Sequence, residues 1–574
     1  MRLNIQSHFN SLAFEPITKR RSANYQPTIW GFDFLQSLKS DYTEEAYKSK
    51  TKKLEEEVKS RLDDKAMGHL SQLELIDDIQ RLGLGYLFEE EIKKALDIIA
   101  CLKDMDHTRT DQEESLHATA LRFKLLRQHG YEINQGLFNH LKDEAGNFIA
   151  SYLDDVKGVL SLYEASHLAV EGENILDEAK GLTRTALEIK IKCNMESWLA
   201  KQVNHALELP LHWRMPWLEA RWYIDIYHKK ENSIPTLIEL AKLNFNIVQG
   251  VHQRELVELS RWWKILGLGD HLGFIRESVI RGFLWTLGMN PEPQYSNFRI
   301  DLTKIVMLIT AVDDVYDVYG SLEELELFTH AVERWDIEAM EQLPDYMKIC
   351  FLAVFNTVNE MGYFHIKQHG FQRIPFLQKE WVDLCKAYLI EAKWYYNNHK
   401  TTLEEYLNNG ITSIACKALL IHAFFSSPLT FPKETLYCFS QHPSLLDWSA
   451  IIFRLADDLG TSKDELERGD VLKSIQSYMH ETGASEDVAR EQMWNMIHET
   501  WKKINKEFLL PQHFIRTTLK LVRNSLCIYQ YGDGHGAIDD QTKNRVKLLL
   551  FEAIPIDGAN LLPLDSDRAK VDNL

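Results

Sequence analysis

The sequence predicts an all-α protein of two or more domains, and three observations carry that prediction. Apolar residues recur at three- and four-residue spacing along most of the chain, which places them on one face of a helix. Runs that alternate apolar and polar residues between Gly and Asn turns, the mark of strands, are missing. At 574 residues the chain is too long for one ordinary core, so two or more domains are expected.

Taken in order, helical patterns cover Leu73–Leu82, Ala118–Gln128, Thr236–Val248, Ile305–Val318 and Met347–Met361. With only 27 Gly and 15 Pro there are few breakers, so short loops should join antiparallel helices. The polar stretch His228-Lys-Lys-Glu-Asn-Ser-Ile-Pro235 separates two apolar patterns and is the expected domain boundary. It divides a helical domain at 24–232 from a second at 233–556, with a segment 1–23 before them. From Asp557 to Leu574 the periodicity is lost, and a flexible tail is expected.

Hydrophobic residues make up 45% and charged residues 26%, a globular balance rather than a disordered one. The net charge of −19 disfavours a nucleic-acid partner, and an anionic ligand would have to be recruited by local basic groups or metal. Seven cysteines, an odd number with no CxxC spacing, read as reduced thiols in a non-secreted protein. No apolar run reaches the roughly 20 residues needed to span a bilayer. Met1–Lys19 lacks the apolar region of a secretory signal, and with two serines, one arginine and Glu15 it is a poor transit peptide. The cytosol is therefore expected, with a plastid as the alternative.

The most informative stretch is Asp313-Asp314-Val315-Tyr316-Asp317, three carboxylates at the end of an apolar helical run. Asp313 and Asp317 share a helix face, with Asp314 about 100° round. Like charges so placed repel, and a cation between them removes the conflict. Hard oxygen ligands without His or Cys suit Mg²⁺ or Mn²⁺ better than zinc. A second set follows in Arg454-Leu-Ala-Asp457-Asp458-Leu-Gly-Thr461-Ser-Lys-Asp-Glu465. There Asp457, Thr461 and Glu465 recur at i, i+4 and i+8 on one face. Two such faces opposed would clamp divalent ions and a polyanion, with Arg276, Arg454 and Lys473 completing a diphosphate cage. Either set alone also fits an exposed helix face. Asp63-Asp64, Asp77-Asp78 and Asp154-Asp155 lack a third acid at the right spacing and read as solvated helix surface.

On these residues the chain resembles plant terpene synthases, specifically the angiosperm monoterpene synthase subfamily. Asp313-Asp314-x-x-Asp317 matches the family's aspartate-rich motif, and Asp457, Thr461 and Glu465 match its second metal motif. Arg20-Arg21, followed by eight residues and Trp30, matches its tandem-arginine motif. Further matching stretches are Leu126-Arg-Gln-His-Gly130, Leu160-Ser-Leu-Tyr-Glu-Ala165, Leu211-His-Trp-Arg214, Arg261-Trp-Trp263, Arg468-Gly-Asp470 and Gly532-Asp-Gly-His-Gly536. The resemblance implies an N-terminal α-barrel-like domain without a catalytic site, and a C-terminal class I isoprenoid synthase bundle around an apolar pocket. It also implies that the segment bearing Arg20 and Arg21 folds over the pocket mouth as a lid.

By the same resemblance, Asp313, Asp317, Asp457, Thr461 and Glu465 hold three Mg²⁺, or Mn²⁺, with Asp314 supporting the site. Arg276, Arg454 and Lys473 hold the diphosphate of a small prenyl substrate. Trp285 falls at the family's pocket-tryptophan position, and Phe453 and Tyr529 are further aromatic candidates for stabilising the allylic cation. A monomer is expected, with a dimer as the alternative.

Some positions depart from the family. Arg276-Glu277-Ser278 stands where Arg-x-Arg is usual, Ile411 and Ala415 stand where many cyclising relatives have Trp and Ser, and Val306 is neither the Asn of cineole-forming nor the Phe of isoprene-forming relatives. These favour an acyclic monoterpene such as linalool, ocimene or myrcene, and the subfamily resemblance favours geranyl diphosphate as the substrate. The tandem arginine argues for a cyclic product of limonene or terpineol type, and the short prefix for farnesyl diphosphate and a farnesene or nerolidol type. A chain-elongating prenyltransferase would show two Asp-Asp-x-x-Asp motifs, and a non-enzymatic scaffold has no use for the complete ligand set.

Overall fold

The computed structural model describes residue 25 and residues 27–105, 115–146, 148–192, 195–277, 279–369, 372–427, 443–467, 470–507, 512–536 and 539–556. Among these residues there is no β-strand, only an isolated bridge between Lys142 and Phe148. The architecture is a two-part assembly of helices.

The N-terminal part contains α1 (Glu44–Leu62), α2 (His69–Arg81), α3 (Glu89–Met105), α4 (Leu116–Gln128), α5 (Val156–Ser166), α6 (Asn174–Lys190), α7 (Ser197–Glu208) and α8 (Pro216–Tyr227). Local chemistry sets several of their starts. Thr43 and Ser115 accept the backbone N–H of Ala46 and Ala118, and Pro216 opens α8, where its missing N–H is harmless. The loop after α8 ends at Pro235, which opens α9 (Pro235–Leu266). That 32-residue helix stops at Gly267, whose φ of 74° supplies the left-handed cap.

Around α9 the second part assembles α10 (Val279–Met289), α11 (Ser296–Asp314), α12 (Leu322–Arg334), α13 (Asp345–His369), α14 (Ile374–Tyr396), α15 (Leu403–Ser413), α16 (Cys416–Ser426), α17 (Pro443–Glu467), α18 (Ser474–Thr482), α19 (Glu486–Asn505), α20 (Gln512–Ile528) and α21 (Asp540–Val546). Ser321 and Glu324 form a reciprocal capping box at the start of α12. Helices α10, α11, α16, α17 and α20 pack side by side. Their mostly apolar faces make the core that positions the site.

The two parts are tightly joined. Trp213 stacks on Trp501 at 5.9 Å and Trp217 on Phe245 at 4.7 Å. Asn505 accepts from or donates to His212, His167 and Ala169, and Arg523 donates to the His212 carbonyl at 2.6 Å. The chain before α1 packs on the second part, with Phe34 edge-on to Phe551 at 5.1 Å and Gln36 bonded to Ser260 at 2.7 Å.

One expectation is corrected here. Asp63, Asp64, Asp154 and Asp155 are exposed as expected, but Asp77 and Asp78 are not solvated surface. Asp78 is buried and receives Tyr223 at 2.8 Å, Tyr227 at 3.2 Å and Lys230 at 2.7 Å. Asp77 pairs with Lys124 at 2.6 Å. Helix α2 is enclosed by α4 and α8, so its polar face meets protein rather than water, and its charges are matched internally.

Of the cysteines described, Cys350, Cys385, Cys416 and Cys527 are buried, Cys101 is exposed, and all five are free thiols.

Candidate active site

The apolar residues Ile305–Val312 bury α11 in the core and carry Asp313 to the edge of a cavity. Immediately after Asp314 the helix widens into a π-helical turn, Val315–Tyr319. Such turns are rare and concentrate at functional sites. Here both Asp313 and Asp317 line the cavity. Asp314 turns away, is fully buried, and accepts the backbone N–H of Arg276 at 2.8 Å.

Arg276 is the counter-ion of this first acid row. Its guanidinium lies 2.5 Å from Asp313 and 2.9 Å from Asp314, and it sits over the ring of Tyr25 at 5.1 Å. Burial pushes both carboxyls above their ordinary range, and Arg276 opposes that push. Ionising both acids therefore carries a cost that Arg276 offsets only in part.

The second row lies on α17. Asp457, Thr461 and Glu465 all line the same cavity. Arg454 is ion-paired with Asp457 and lies 3.0 Å from Asp458. Asp458 is fully buried and also receives Tyr406 at 2.9 Å and the Ser474 N–H at 3.1 Å. It anchors Arg454 in the way that Asp314 anchors Arg276. Thr461 donates to Glu465 at 3.0 Å, and Lys473 lies 3.5 Å from Glu465. The predicted acids, hydroxyl and cations are thus brought together around one space of about 910 Å³.

Apolar and aromatic side chains form another part of the wall. Trp285 stacks on Phe453 at 4.8 Å, and Tyr529 lies 5.9 Å and 6.4 Å from these two rings. Val306, Ile309, Ile414, Ala415 and Leu419 complete the wall. All three aromatic residues singled out in the sequence therefore meet.

The donor set fits a divalent cation: carboxylates and a hydroxyl, largely buried, on two sides of one cavity, with no His or Cys among them. Among the described residues no three acidic, His or Cys side chains already converge as a cage. The chain's own cations, Arg276, Arg454 and Lys473, pair with these acids instead.

The cavity also contains residues that the sequence reading did not single out: Tyr25, Thr310, Tyr388, Glu391, Ser413, Asp533 and His535. His535 accepts the Trp285 indole N–H on Nδ1 at 3.2 Å, which leaves Nε2 to donate to Thr310 at 3.2 Å. Burial, Arg276 and Arg281 hold this imidazole well below its ordinary pKa, so it is neutral. Gly532-Asp-Gly-His-Gly536 was the available signal, though spacing alone assigns it no role. Arg20 and Arg21 lie outside the described residues, as do Ser278, Arg468 and Gly469. Trp30, which ends the tandem-arginine motif, is buried and lies 6.1 Å from Phe551.

Comparisons with known proteins agree with this geometry. Residues 264–503 match the terpene synthase family metal binding domain, and residues 29–207 match the terpene synthase N-terminal domain. The chain is 51% identical over 555 residues to a chloroplastic myrcene synthase of Quercus ilex, covering 96% of this chain and 92% of that one. Among solved structures it is similar to isoprene synthase from grey poplar leaves, Populus x canescens, in complex with three Mg²⁺ ions and dimethylallyl-S-thiolodiphosphate (TM-score 0.84, 45% identity, 92% of this chain and 99% of that one). It is also similar to a limonene synthase with 2-fluorolinalyl diphosphate (TM-score 0.90, 40% identity, 93% and 100% of the two chains).

Proposed function

The chain belongs to the terpene synthase family, among its angiosperm monoterpene synthases, and from that premise we propose that it ionises geranyl diphosphate and releases an acyclic monoterpene. The enzyme class itself, a lyase acting on a prenyl diphosphate, follows from the family. The observation that carries the rest is that two oxygen-donor rows, three cationic side chains and three aromatic rings line one cavity.

In this reading Asp313 and Asp317 on one side, and Asp457, Thr461 and Glu465 on the other, hold divalent cations, Mg²⁺ or Mn²⁺. The complex of isoprene synthase supports a count of three Mg²⁺. Such ions neutralise the charge that builds on a departing diphosphate.

Arg276, Arg454 and Lys473 hold the diphosphate through charge-assisted hydrogen bonds. To do so they exchange carboxylate partners for phosphate oxygens. Asp314 and Asp458, both buried, keep the two guanidinium groups aimed at the cavity during that exchange. The faces of Trp285, Phe453 and Tyr529 stabilise the allylic cation without offering a lone pair, each by about 1–2 kcal/mol when desolvated. His535 keeps the Trp285 indole oriented through its hydrogen bond. Tyr25, which stacks on Arg276 and lines the cavity, limits water entry there. Arg20 and Arg21 are proposed, by resemblance alone, to cover the pocket mouth.

An acyclic product is favoured by Ile411 and Ala415, and by similarity to a myrcene synthase. A cyclic product of limonene or terpineol type is the second reading, supported by likeness to a limonene synthase. Farnesyl diphosphate is the alternative substrate. The chloroplastic name of the Quercus ilex relative supports a plastid location over the cytosolic one expected from the prefix. No helix among the described residues is long and apolar enough to cross a membrane. The proposed functional division remains 24–232 for the non-catalytic domain and 233–556 for the catalytic one, and both the segment 1–23 and the tail 557–574 lie outside the described residues.

Gas chromatography of extracts from separate geranyl and farnesyl diphosphate incubations with Mg²⁺ tests this reading. The expected outcome is an acyclic ten-carbon volatile from geranyl diphosphate. A fifteen-carbon volatile alone would transfer the assignment to farnesyl diphosphate. A longer diphosphate, formed when isopentenyl diphosphate is added, would point to a prenyltransferase.

A further inference from the structure

Glu391 belongs to neither acid row, yet it stands between them. It projects from α14 into the cavity that holds Asp317, Arg454 and Lys473, and it is only 8% exposed. Its Oε1 accepts the Asn409 amide at 3.1 Å and the Ser413 hydroxyl at 2.5 Å. The same Asn409 amide also donates to the Ala387 carbonyl at 3.1 Å. Asn409 and Ser413 are four residues apart on α15, so they share a face. One carboxylate oxygen therefore pins the last turn of α15 to α14.

The chain bends immediately beyond that pin. Helix α15 ends at Ser413, Ala415 takes a left-handed φ of 60°, and α16 restarts at Cys416. That conformation costs an L-residue about 1–2 kcal/mol, so the surroundings must impose it. Ser413, Ile414 and Ala415 are all cavity wall. The bend therefore shapes the space in which the hydrocarbon lies, and Glu391 ties its near end to the helix opposite.

We infer that Glu391 is a specificity-determining positioning residue: by holding Ser413 and Asn409 it fixes where the Ile414–Ala415 bend stands, and with it the contour that selects among products. This rests on reading the cavity as the prenyl diphosphate site. Two chemical changes separate the pin from the charge. Glu391→Gln keeps an acceptor oxygen for Ser413 and removes the charge. Glu391→Ala removes both, and Ser413→Ala removes the donor from the other side.

The experiment compares full-length wild type, Glu391→Gln, Glu391→Ala, Ser413→Ala and the Glu391→Ala/Ser413→Ala double variant. Each is incubated with geranyl diphosphate and Mg²⁺. Product profiles are read by gas chromatography, normalised to pyrophosphate released, and Tm is recorded for each protein. Glu391→Gln is expected to keep the wild-type profile. Glu391→Ala and Ser413→Ala should shift the main-to-minor product ratio in the same direction by at least about threefold. The double variant should go no further than Glu391→Ala, since the hydrogen bond that Ser413→Ala removes is already lost in Glu391→Ala.

The inference is overturned if Glu391→Gln shifts as far as Glu391→Ala, if Ser413→Ala keeps the wild-type profile, or if the two single effects add. Should Glu391→Ala fail to fold, Glu391→Gln and Ser413→Ala at near wild-type Tm decide the matter alone. A wild type that releases no pyrophosphate would strike at the underlying reading instead, and that outcome is distinct from all of these.

Discussion

Arg276 grips Asp314 at two points: its backbone N–H donates to Oδ2 at 2.8 Å, and its guanidinium Nε stands 2.9 Å from Oδ1. Asp314 is fully buried, whereas the Asp313 side chain is 28% exposed. Removing Asp314 takes away the fully buried counter-ion of Arg276 and leaves it only the partly exposed Asp313. Asp314→Ala should therefore cost about 3–5 kcal/mol of stability, and Asp313→Ala less than about 1 kcal/mol. Denaturant unfolding of the two variants checks this, and equal losses would mean that the two aspartates do not divide the work as described.

Gly460 lies in α17 between Asp457 and Thr461, against the end of α20. A Cβ there would meet the Gly532 and Tyr529 carbonyl oxygens, each at 2.9 Å. Backbone oxygens cannot turn aside as a flexible side chain can, so α17 must shift. Gly460→Ala is expected to lower stability by about 1–3 kcal/mol and to reduce turnover by displacing the second acid row. A variant with wild-type Tm and kcat would show that the approach is looser than it looks.

Glu164 gives a pH signature in the N-terminal part. It lines a cavity of about 800 Å³ with Asp77, Arg81 and Lys124, and its one carboxylate oxygen accepts the Leu211 N–H at 2.9 Å. Burial raises its pKa to about 7, despite Lys124 and Arg81. The folded pKa thus exceeds the unfolded one. The penalty is absent below about pH 4.5, grows as the pH rises toward 7, and stays constant above. Glu164→Gln should leave stability nearly unchanged at acid pH and add up to about 3 kcal/mol at pH 8. Chemical denaturation at both pH values tests the sign, and the reverse dependence would refute it.

Tyr25 lines the cavity beside Arg276, stacked under its guanidinium and hydrogen-bonded to the buried Asp314 carboxylate. Tyr25→Ala should raise the alcohol share of the products, because water reaches the cation more easily. Tyr25→Phe keeps the ring and should change that share much less. Incorporation of oxygen from isotopically labelled water measures the difference, and identical incorporation in both variants would contradict the role given to the ring.

Both oxygen rows were legible in the sequence because helical periodicity converts i, i+4 and i+8 spacing into a shared face. Their meeting in one cavity with Trp285, Phe453 and Tyr529 came from resemblance, since no local pattern encodes which helices face each other. The π-helical turn at Val315–Tyr319 left no sequence signal. Glu391 is a single polar residue in a helical stretch, and His535 stands in Gly532-Asp-Gly-His-Gly536 with no spacing that assigns it a role. Asp77 and Asp78 differ from the sequence expectation for a related reason. A polar helix face looks the same in sequence whether it meets water or, as with Lys124, Tyr223 and Lys230, a matched set of buried partners.

In the proposed function the Asp313 and Asp457 rows ionise the substrate only with a divalent metal. The decisive measurement is pyrophosphate released from geranyl diphosphate by wild type with Mg²⁺, by wild type with a chelator, and by Asp313→Ala with Mg²⁺. Release by the first alone, with the other two down by at least about a thousandfold, is the predicted result. Near wild-type release by Asp313→Ala, or release undiminished by the chelator, would contradict it.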